Sequence, residues 1–303
     1  MERDPLVDLS ARLSALVTKG AASVVRVDGR RTPASGVAWS ADGIVVTAHH
    51  AVERDEEIEI GLPDGSTAEA ELLGRDPTTD VAVLRARASG LAPPAWTEPD
   101  ALEPGHLLVG VSRPGRSARA SLGIAARVAG EWRGPGGGRV DRYLETSLEI
   151  VPGLSGSLVL DAAGAAVGLA TAGLIRGTAM ALPAPTLRRV VKAVLAHGRV
   201  RRGYLGVATV PVRLPPAAAE AAGQPTALLV TAVEPESPAG RGGLLLGDAI
   251  VSIAGARVAE PGDLLPALEA ERIGDAAAVS VVRGGELRTL TVTIGAREPR
   301  GAR

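Results

Sequence analysis

Two side-chain types are missing from the 303-residue sequence, which contains no cysteine and no phenylalanine. Without cysteine the chain has no disulfide, no thiolate metal ligand and no cysteine nucleophile. Aromatic residues make up only 2% of the sequence, so valine, leucine, isoleucine and alanine must build the cores. The glycine-rich stretch 130–142 lacks both the lysine and the following helix of a phosphate-binding loop. We therefore expect no metal and no other cofactor.

Charge and long apolar runs are also scarce. The formal net charge is −1 and no long basic run is present, which argues against a nucleic-acid partner. The first residues contain acids and no continuous apolar segment, so they do not resemble a signal peptide. No stretch approaches the roughly 18 apolar residues that cross a bilayer. Taken as given, the chain is expected to be cytoplasmic unless an export segment was removed.

Short apolar runs separated by Gly, Pro and Asp turns fill residues 22–185, a pattern typical of an all-β sandwich or barrel. Residues 1–19 are predicted to form an amphipathic helix, because Leu6, Leu9, Leu13 and Leu16 recur at helical spacing. A helix is predicted over 186–198, and the basic stretch 199–203 follows it. The remaining residues mix strands and short helices. We therefore predict an N-terminal segment 1–19, a β domain 20–198 and an α+β domain 199–303.

The chain has only four histidines. His197 ends a predicted surface helix, and His106 occupies a turn before a strand, so we assign both to structural roles. His49 and His50 differ from these two histidines, because they close an apolar strand and face a loop. Either imidazole could act as a base there.

Carboxylates and a serine complete a possible catalytic set. Asp80 directly precedes a buried-looking strand, while Asp76 is assigned to capping the turn before it. Ser155 lies in "VPGLSGSLVL", in a tight turn that leads into another apolar run. A serine hydroxyl is a weak nucleophile unless a base takes its proton and a third group orients that base. The order His…Asp…Ser is that of chymotrypsin-type barrels.

These stretches resemble the HtrA (DegP-like) family of trypsin-fold serine proteases. The family's histidine, aspartate and serine motifs are matched here by "TAHHAV", "DPTTDVAVL" and "GLSGS". The segment "SPAGRGGLLLGDAIVSIAGARV" is similar to the family's PDZ domain. The resemblance covers roughly residues 20–295. It implies a mainly β fold, with a chymotrypsin/trypsin-like double β-barrel protease domain followed by one α+β PDZ domain.

The resemblance also implies roles for the site residues. Ser155 would be the nucleophile, His50 the general base and Asp80 the group that orients His50. The N–H groups of Gly153 and Ser155 would form the oxyanion hole. Two residues depart from the family's serine motif, Leu154 and Ser157. Leu154 is expected to contribute only its backbone, whereas the Cβ of Ser157 could disfavour the turn that a glycine would permit.

The substrate pocket is assigned by the same resemblance. The positions that line it in the family fall on Ile150 and Leu174, which would favour small or medium aliphatic residues. Glu149 is the alternative, because a carboxylate at the pocket base would attract Arg or Lys. Neighbouring residues of an extended chain face opposite ways, so Ile150 and Glu149 cannot easily both line the pocket.

A second binding site is expected in the C-terminal domain. The stretch "RGYLGV" resembles the carboxylate-binding loop of PDZ domains, where an extended peptide adds as a strand. Leu205, Gly206 and Val207 would supply the N–H groups, and a helix near 263–271 would form the other wall of the groove. The predicted partners are C-terminal hydrophobic peptides.

The function implied is ATP-independent endoproteolysis of unfolded or partly folded proteins, as in protein quality control. The alternative is a weakly active or inactive protease-fold scaffold that acts by binding peptides. Residues 1–38 lack the aromatic residues through which the family commonly trimerises, so we expect at most a weak homotrimer. The loop 173–182 is shorter than the family's signalling loop, which predicts little activation by peptides.

Overall fold

A computed structural model describes residues 4–296 of the chain. The chain divides into two compact units, with the boundary between Val200 and Arg201. The predicted segments 1–19 and 199–303 each extend into residues that lie outside the described range. Within residues 4–296, no helix combines the length and the apolar character needed to span a membrane.

The first unit contains two barrels. The first is a closed six-stranded antiparallel barrel, in the order β1-β2-β3-β6-β5-β4. Valine, isoleucine and leucine side chains fill its interior, among them Val27, Ile60 and Leu84, none of which is exposed. The strands are β1 (Val24–Asp28), β2 (Ala34–Ala38), β3 (Ile44–Ala48), β4 (Ile58–Gly61), β5 (Thr67–Asp76) and β6 (Val81–Ala86).

A second closed barrel follows in the same unit, in the order β11-β14-β13-β12-β7-β8. Two short strands between β8 and β11 form a hairpin of their own, β9 with β10. The glycine-rich stretch 130–142 is therefore ordered in part, and Trp132 packs edge-on against Tyr143 with ring centroids 5.1 Å apart. The strands are β7 (Leu107–Ser112), β8 (Arg119–Ala129), β9 (Trp132–Arg133), β10 (Arg139–Val140), β11 (Tyr143–Thr146), β12 (Leu158–Asp161), β13 (Ala166–Thr171) and β14 (Ala179–Pro183).

Two helices flank the barrels. Helix α1 (Pro5–Ala21) begins after Asp4, whose carboxylate accepts a hydrogen bond from the N–H of Leu6 at 2.9 Å. This helix covers most of the segment in which the leucine spacing predicted one. Of its leucine stripe, Leu13 and Leu16 are partly buried and pack with Val17 on the core between the barrels, whereas Leu6 and Leu9 are exposed. Helix α2 (Ala184–His197) ends at a left-handed glycine, as its sequence predicts.

The second unit is built on an antiparallel sheet in the order β16-β17-β18-β20-β21, with β19 paired to β18. A separate pair, β15 with β22, brings residues near both ends of the unit together. Its elements are β15 (Gly203–Tyr204), β16 (Val207–Arg213), α3 (Pro216–Ala222), β17 (Thr226–Val233), α4 (Pro238–Arg241), β18 (Ala249–Ile253), β19 (Ala256–Arg257), β20 (Ala276–Arg283), β21 (Glu286–Thr293) and β22 (Gly295–Ala296).

The helix predicted near 263–271 takes a different form. The chain makes two 3₁₀ helices, Pro261–Leu268 and Ala270–Arg272, separated at Glu269. Pro266 lies inside the first of them. A proline there has no N–H to donate, and its ring clashes with the carbonyl four residues earlier in an α-helix. The prediction of one continuous helix was therefore wrong.

Candidate active site

The pairing of β3 with β6 brings the histidines to Asp80. Ala48, the last residue of β3, pairs with Val81, the first residue of β6. A one-turn 3₁₀ helix, His49–Ala51, then turns the chain back over the end of β6. The N–H of His49 donates to the Asp80 carbonyl at 3.0 Å, which fixes the two chain segments together.

Asp80 and His50 make two hydrogen bonds. The His50 N–H donates to Asp80 Oδ1 at 2.9 Å, and the distance from His50 Nδ1 to Asp80 Oδ2 is 2.8 Å. An ionised carboxylate only accepts hydrogen bonds, so Nδ1 carries the proton and Nε2 of the neutral ring is left as an acceptor. The Asp80 side chain is 6% exposed and the His50 side chain 32% exposed. The imidazole is therefore oriented from the buried side and open on the other.

The turn that carries Asp80 is held by the preceding carboxylate. Asp80 has a φ of 57°, in the left-handed region. Asp76 Oδ1 accepts from the N–H and the hydroxyl of Thr78 at 3.1 and 2.7 Å, and Asp76 Oδ2 accepts from the Thr79 hydroxyl at 2.8 Å. Asp76 thus caps the turn, as the sequence predicts.

Ser155 lies within a turn made by residues 151–157, between β11 and β12. The N–H of Leu154 donates to the Val151 carbonyl at 3.0 Å, and the N–H of Ser157 donates to the Leu154 carbonyl at 2.9 Å. Gly156 has a φ of 83°, and a Cβ on it would lie 1.8 Å from the Ser35 carbonyl oxygen. Only glycine fits directly after Ser155.

The segment from Thr171 to Gly173 touches all three candidate catalytic residues. The Thr171 hydroxyl donates to Asp80 Oδ2, and the Ala172 N–H donates to Ser155 Oγ at 3.3 Å. A Cβ on Gly173 would lie 2.3 Å from His50 Nδ1. Within residues 4–296 the Ser155 hydroxyl makes no hydrogen bond to the His50 ring. Catalytic hydrogen bonds are often long in unliganded enzymes and shorten when substrate binds.

Two N–H groups near Ser155 are left open. Neither Gly153 N–H nor Ser155 N–H donates to an acceptor within the described part of the chain. Gly153 has a φ of 91°, and a Cβ there would lie 2.5 Å from Pro114 Cβ. Only glycine, which has no Cβ, lets the chain pass this close to the proline.

The two departures from the family's serine motif have structural explanations. Leu154 is 3% exposed and packs in the core of the second barrel with Leu148 and Val159. Its backbone forms part of the turn, while its side chain fills space in the barrel core. Ser157 is fully buried, is absent from the residues with positive φ, and its hydroxyl makes no hydrogen bond within residues 4–296. Its Cβ therefore imposes no left-handed strain on the turn.

The pocket residues named from the sequence lie in different surroundings. Ile150 is 48% exposed, whereas Leu174 is 8% exposed and packs in the core that also contains Leu187. Glu149 is mostly exposed, with Oε2 3.7 Å from Arg119 Nη2. That ion pair draws the Glu149 carboxylate toward an arginine on β8. The assignment of the pocket to Ile150 and Leu174 stays a prediction.

The remaining histidines lie in the structure as follows. His106 Nδ1 accepts from the Glu103 N–H at 3.3 Å, within its turn, and His197 occupies the last turn of α2. Burial lowers the pKa of His49 below its ordinary value, and the nearby Arg75 lowers it further. His49 is thus less easily protonated than a solvated histidine.

The candidate peptide site of the second unit is a turn before the edge strand β16. The Leu205 carbonyl accepts from the Ala239 N–H and the Gly206 carbonyl from the Glu234 N–H, both at 2.8 Å. The N–H groups of Leu205 and Gly206 have no acceptor within residues 4–296. Gly206 has a φ of 84°.

The strand beside this turn has a free edge in the described part of the chain, because β16 pairs there only with β17. Val207, its first residue, pairs with Val233. The 3₁₀ helix Pro261–Leu268 contacts β16, and its Leu264 and Ala267 pack in the same core as Leu205. A 3₁₀ helix therefore lies against β16 where the sequence predicted the second wall of the groove.

Sequence reasoning missed Thr171. Its hydroxyl bonds the Asp80 carboxylate, and it accepts from the Gly173 N–H at 3.0 Å. No motif marks it, since a threonine at the end of an apolar strand is ordinary in a β protein. Only the pairing of chain segments distant in sequence reveals the contact.

Comparison with known proteins gives matches for both units. A model of the trypsin-like peptidase domain matches residues 34–169, and a PDZ domain model matches residues 203–294. A protein of Ectopseudomonas mendocina, named a probable periplasmic serine endoprotease DegP-like, is 33% identical over 267 residues, 86% of this chain and 56% of that protein. A Brucella suis protein of the same name is 31% identical over 270 residues, 86% of this chain and 52% of that protein. The chain spans about half the length of these curated relatives.

Solved structures match over almost the whole chain. A structure described as the HtrA-type protease AlgW with tripeptide has a TM-score of 0.75 and 28% identity, covering 95% of this chain and 98% of that chain. The serine endoprotease from Yersinia pestis has a TM-score of 0.75 and 25% identity, covering 94% and 98%.

Fold and matched domains together define the class: a trypsin-like double-barrel peptidase domain followed by a PDZ domain. The chain belongs to the HtrA (DegP-like) family of serine proteases. The mainly β fold predicted from the sequence is confirmed.

Proposed function

We propose that this chain is an ATP-independent serine endopeptidase that cleaves unfolded or partly folded proteins. Ser155 Oγ attacks the scissile carbonyl while His50 Nε2 takes the hydroxyl proton. His50 then returns that proton to the leaving amine, and a water molecule releases the acyl group by the same steps in reverse. Asp80 holds the His50 ring and stabilises the imidazolium that forms.

One observation carries the proposal. Asp80 accepts from both the backbone and the ring of His50, so the orienter and the base are preorganised as a unit. The Ala172 N–H bonds Ser155 Oγ beside the Thr171 that bonds Asp80, so the nucleophile lies near this unit. A structural role would explain a buried aspartate, but not an imidazole that the aspartate orients and that remains partly exposed.

The open N–H groups of Gly153 and Ser155 support the oxyanion hole. Both would donate to the tetrahedral intermediate, in which the carbonyl oxygen carries a negative charge. Losing one such donor typically costs about 2.7–4 kcal/mol of barrier. The peptide planes that carry these donors must therefore be fixed before substrate arrives.

Cleavage is proposed to follow small or medium aliphatic residues, because Ile150 and Leu174 are uncharged. The alternative pocket residue Glu149 has an arginine beside it, 3.7 Å away, which weakens its pull on a basic substrate. A peptide library cleaved mainly after Arg or Lys would assign the pocket to Glu149 instead.

The second unit is proposed to bind peptides that end in a hydrophobic residue with a free carboxylate. The carboxylate would accept from the N–H groups of Leu205, Gly206 and Val207, and the peptide would extend β16 as an added strand. The relative AlgW has been solved with a tripeptide, which supports peptide binding in this family.

Two further proposals concern assembly and the inactive alternative. We propose at most a weak homotrimer, since the N-terminal helix offers leucines rather than aromatic anchors. The scaffold alternative rested on Leu154 and Ser157. It loses support because Leu154 packs in the core and Ser157 lies outside the left-handed region.

Cleavage of an unfolded protein tests the function. The full chain should degrade unfolded casein without ATP, while Ser155→Ala should not. Ser157→Ala is the matched control, because it removes another buried serine hydroxyl from the same turn. Casein cleavage that survives in Ser155→Ala would refute the assigned nucleophile.

A further inference from the structure

Ser35 is a buried serine on β2, outside every motif that the sequence analysis singled out. It is 0% exposed. Its hydroxyl donates to the Gly153 carbonyl at 2.8 Å and accepts from the Arg113 N–H at 2.8 Å. One side chain of the first barrel is thus bonded to two loops of the second.

The backbone of Ser35 holds the same turn. Its N–H donates to the Ser155 carbonyl at 3.2 Å. Its own carbonyl oxygen accepts from the Thr47 hydroxyl at 2.6 Å and lies where a side chain on Gly156 would be. Ser35 therefore contacts the turn at three successive points, from Gly153 to Gly156.

These contacts fix peptide planes rather than side chains. The peptide between Gly153 and Leu154 is bonded at both polar ends, by the Ser35 hydroxyl at its carbonyl and by the Val151 carbonyl at its N–H. The peptide between Ser155 and Gly156 is also bonded at both ends, by Ser35 N–H and by the Ala170 carbonyl. The peptide that carries the Ser155 N–H lies between these two. Because a peptide unit is planar, fixing both neighbours restricts the direction of that N–H.

We propose that Ser35 is a positioning residue that aims the N–H groups of Gly153 and Ser155 at the substrate oxygen. This inference rests on the proposed function of the turn as an oxyanion hole. Ser35 touches neither substrate nor reacting atoms, so it acts through the turn. Preorganised donors lower the barrier only when they already point at the developing charge.

Removing the hydroxyl leaves the Gly153 carbonyl and the Arg113 N–H without this shared partner. Ser35→Ala should therefore lower kcat for casein at least about tenfold, since one misaligned donor costs a large part of its effect. KM should change less than about twofold, because Ser35 does not contact the substrate. Ser35→Cys, which keeps the size and a weak donor, should fall between alanine and wild type.

The control is Ser157→Ala, which deletes an equally buried hydroxyl that makes no hydrogen bond within residues 4–296. It should retain wild-type kcat. Hydrogen exchange of the peptide covering residues 151–157 gives a readout that does not require activity. Ser35→Ala should exchange there faster than wild type, with the rest of the first unit unchanged.

The outcomes separate the two proposals. Wild-type kcat and wild-type exchange in Ser35→Ala would overturn the positioning role while leaving the protease assignment intact. An inert wild type would instead refute the protease assignment, and exchange would still decide whether Ser35 holds the turn. If Ser35→Ala does not fold, Ser35→Cys must show both effects, and wild-type behaviour in that variant would contradict the proposal.

Discussion

In the first unit the groups proposed to carry out proton transfer and nucleophilic attack are side chains: an imidazole, a carboxylate and a hydroxyl. In the second unit the groups proposed to bind peptide are main-chain N–H groups at Leu205 and Gly206, aimed by the fold of a turn. His50 donates two hydrogen bonds to Asp80, one from its backbone and one from its ring, whereas the turn of the second unit is held by hydrogen bonds to the Leu205 and Gly206 carbonyls. Replacing a catalytic side chain of the first unit should therefore leave its fold intact. Disturbing the turn at Leu205 and Gly206 should weaken peptide binding and lower the stability of the second unit together.

The largest effect is expected from His50. His50→Ala removes the base and should lower kcat/KM for casein by at least about 10⁴-fold. His49→Ala is the matched control, because its ring makes no hydrogen bond to Asp80 and it should retain most activity. Thermal unfolding of both variants should stay close to wild type. Equal activity losses in the two variants would contradict the assignment of His50 as the catalytic base.

The variant Gly206→Ala tests the proposed peptide site of the second unit. A Cβ there would lie 2.3 Å from Ser237 Cβ, at a φ of 84°. Gly206→Ala should destabilise the second unit by about 1–3 kcal/mol and weaken binding of a C-terminal hydrophobic peptide. Gly243→Ala is the matched control, since Gly243 has a similar φ of 80° but open space around it.

Calorimetry with the segment 200–303 measures both properties, because this segment has its own core and is expected to fold alone. Amidating the peptide terminus should weaken wild-type binding at least about tenfold, or ~1.4 kcal/mol. Equal affinity for the amidated peptide, or equal loss in Gly206→Ala and Gly243→Ala, would count against the N–H site.

Asp248 provides a pH test of stability in the second unit. It is buried, and although burial alone would raise its pKa, hydrogen bonds from Arg283 and from the Leu245 N–H lower it below 3.8. The Arg283 contacts are 2.6 and 2.7 Å long. A lowered folded-state pKa adds stability above the unfolded value, and that stability is lost as pH falls through the folded value.

Wild-type segment 200–303 should therefore lose stability below about pH 4, as expected for a carboxylate with a lowered pKa. Asp248→Asn should be less stable near neutral pH, by about 1–3 kcal/mol, and should lose less than wild type on acidification. Asp275→Asn is a suitable control, because Asp275 makes only backbone hydrogen bonds within residues 4–296. Identical acid profiles for wild type and Asp248→Asn would exclude this contribution.

The smallest effect is expected from adding a PDZ-binding peptide to the full chain. The loop between β13 and β14 is short, so we expect few alternative conformations of the site to be shifted by a ligand. Casein cleavage should change less than about threefold. Strong activation, together with a tight trimer in light scattering, would show that the two sites are not independent.

The sequence predicted most strands of the first unit from their apolar runs, yet it missed the short strands β9, β10 and β11 and two longer strands, β5 and β8. Both strands alternate exposed and partly buried residues, as in "TAEAELLGRD", and their alanines and charges do not stand out as a strand pattern. Helix α3 was also missed, because two prolines open it. The prediction of a single helix near 263–271 was wrong, because Pro266 has no N–H to donate and interrupts an α-helix.

The candidate site divides in a similar way. His50, Asp80 and Ser155 were identifiable because histidines are few and the three residues occur in a known order with motif-like flanks. Thr171 and Ser35 were not, because serines and threonines are common and these two act through contacts between segments far apart in the chain. Their positions follow from barrel pairing, which a single sequence does not reveal.

Covalent labelling of Ser155 tests the central claim most directly. A fluorophosphonate reacts with a serine hydroxyl only when a neighbouring base activates it. The folded full chain should be labelled at Ser155, as mapped by peptide mass spectrometry, while Ser155→Ala and heat-unfolded wild type should remain unlabelled. No labelling of the folded wild type, or labelling that persists in Ser155→Ala, would contradict an activated serine at this position.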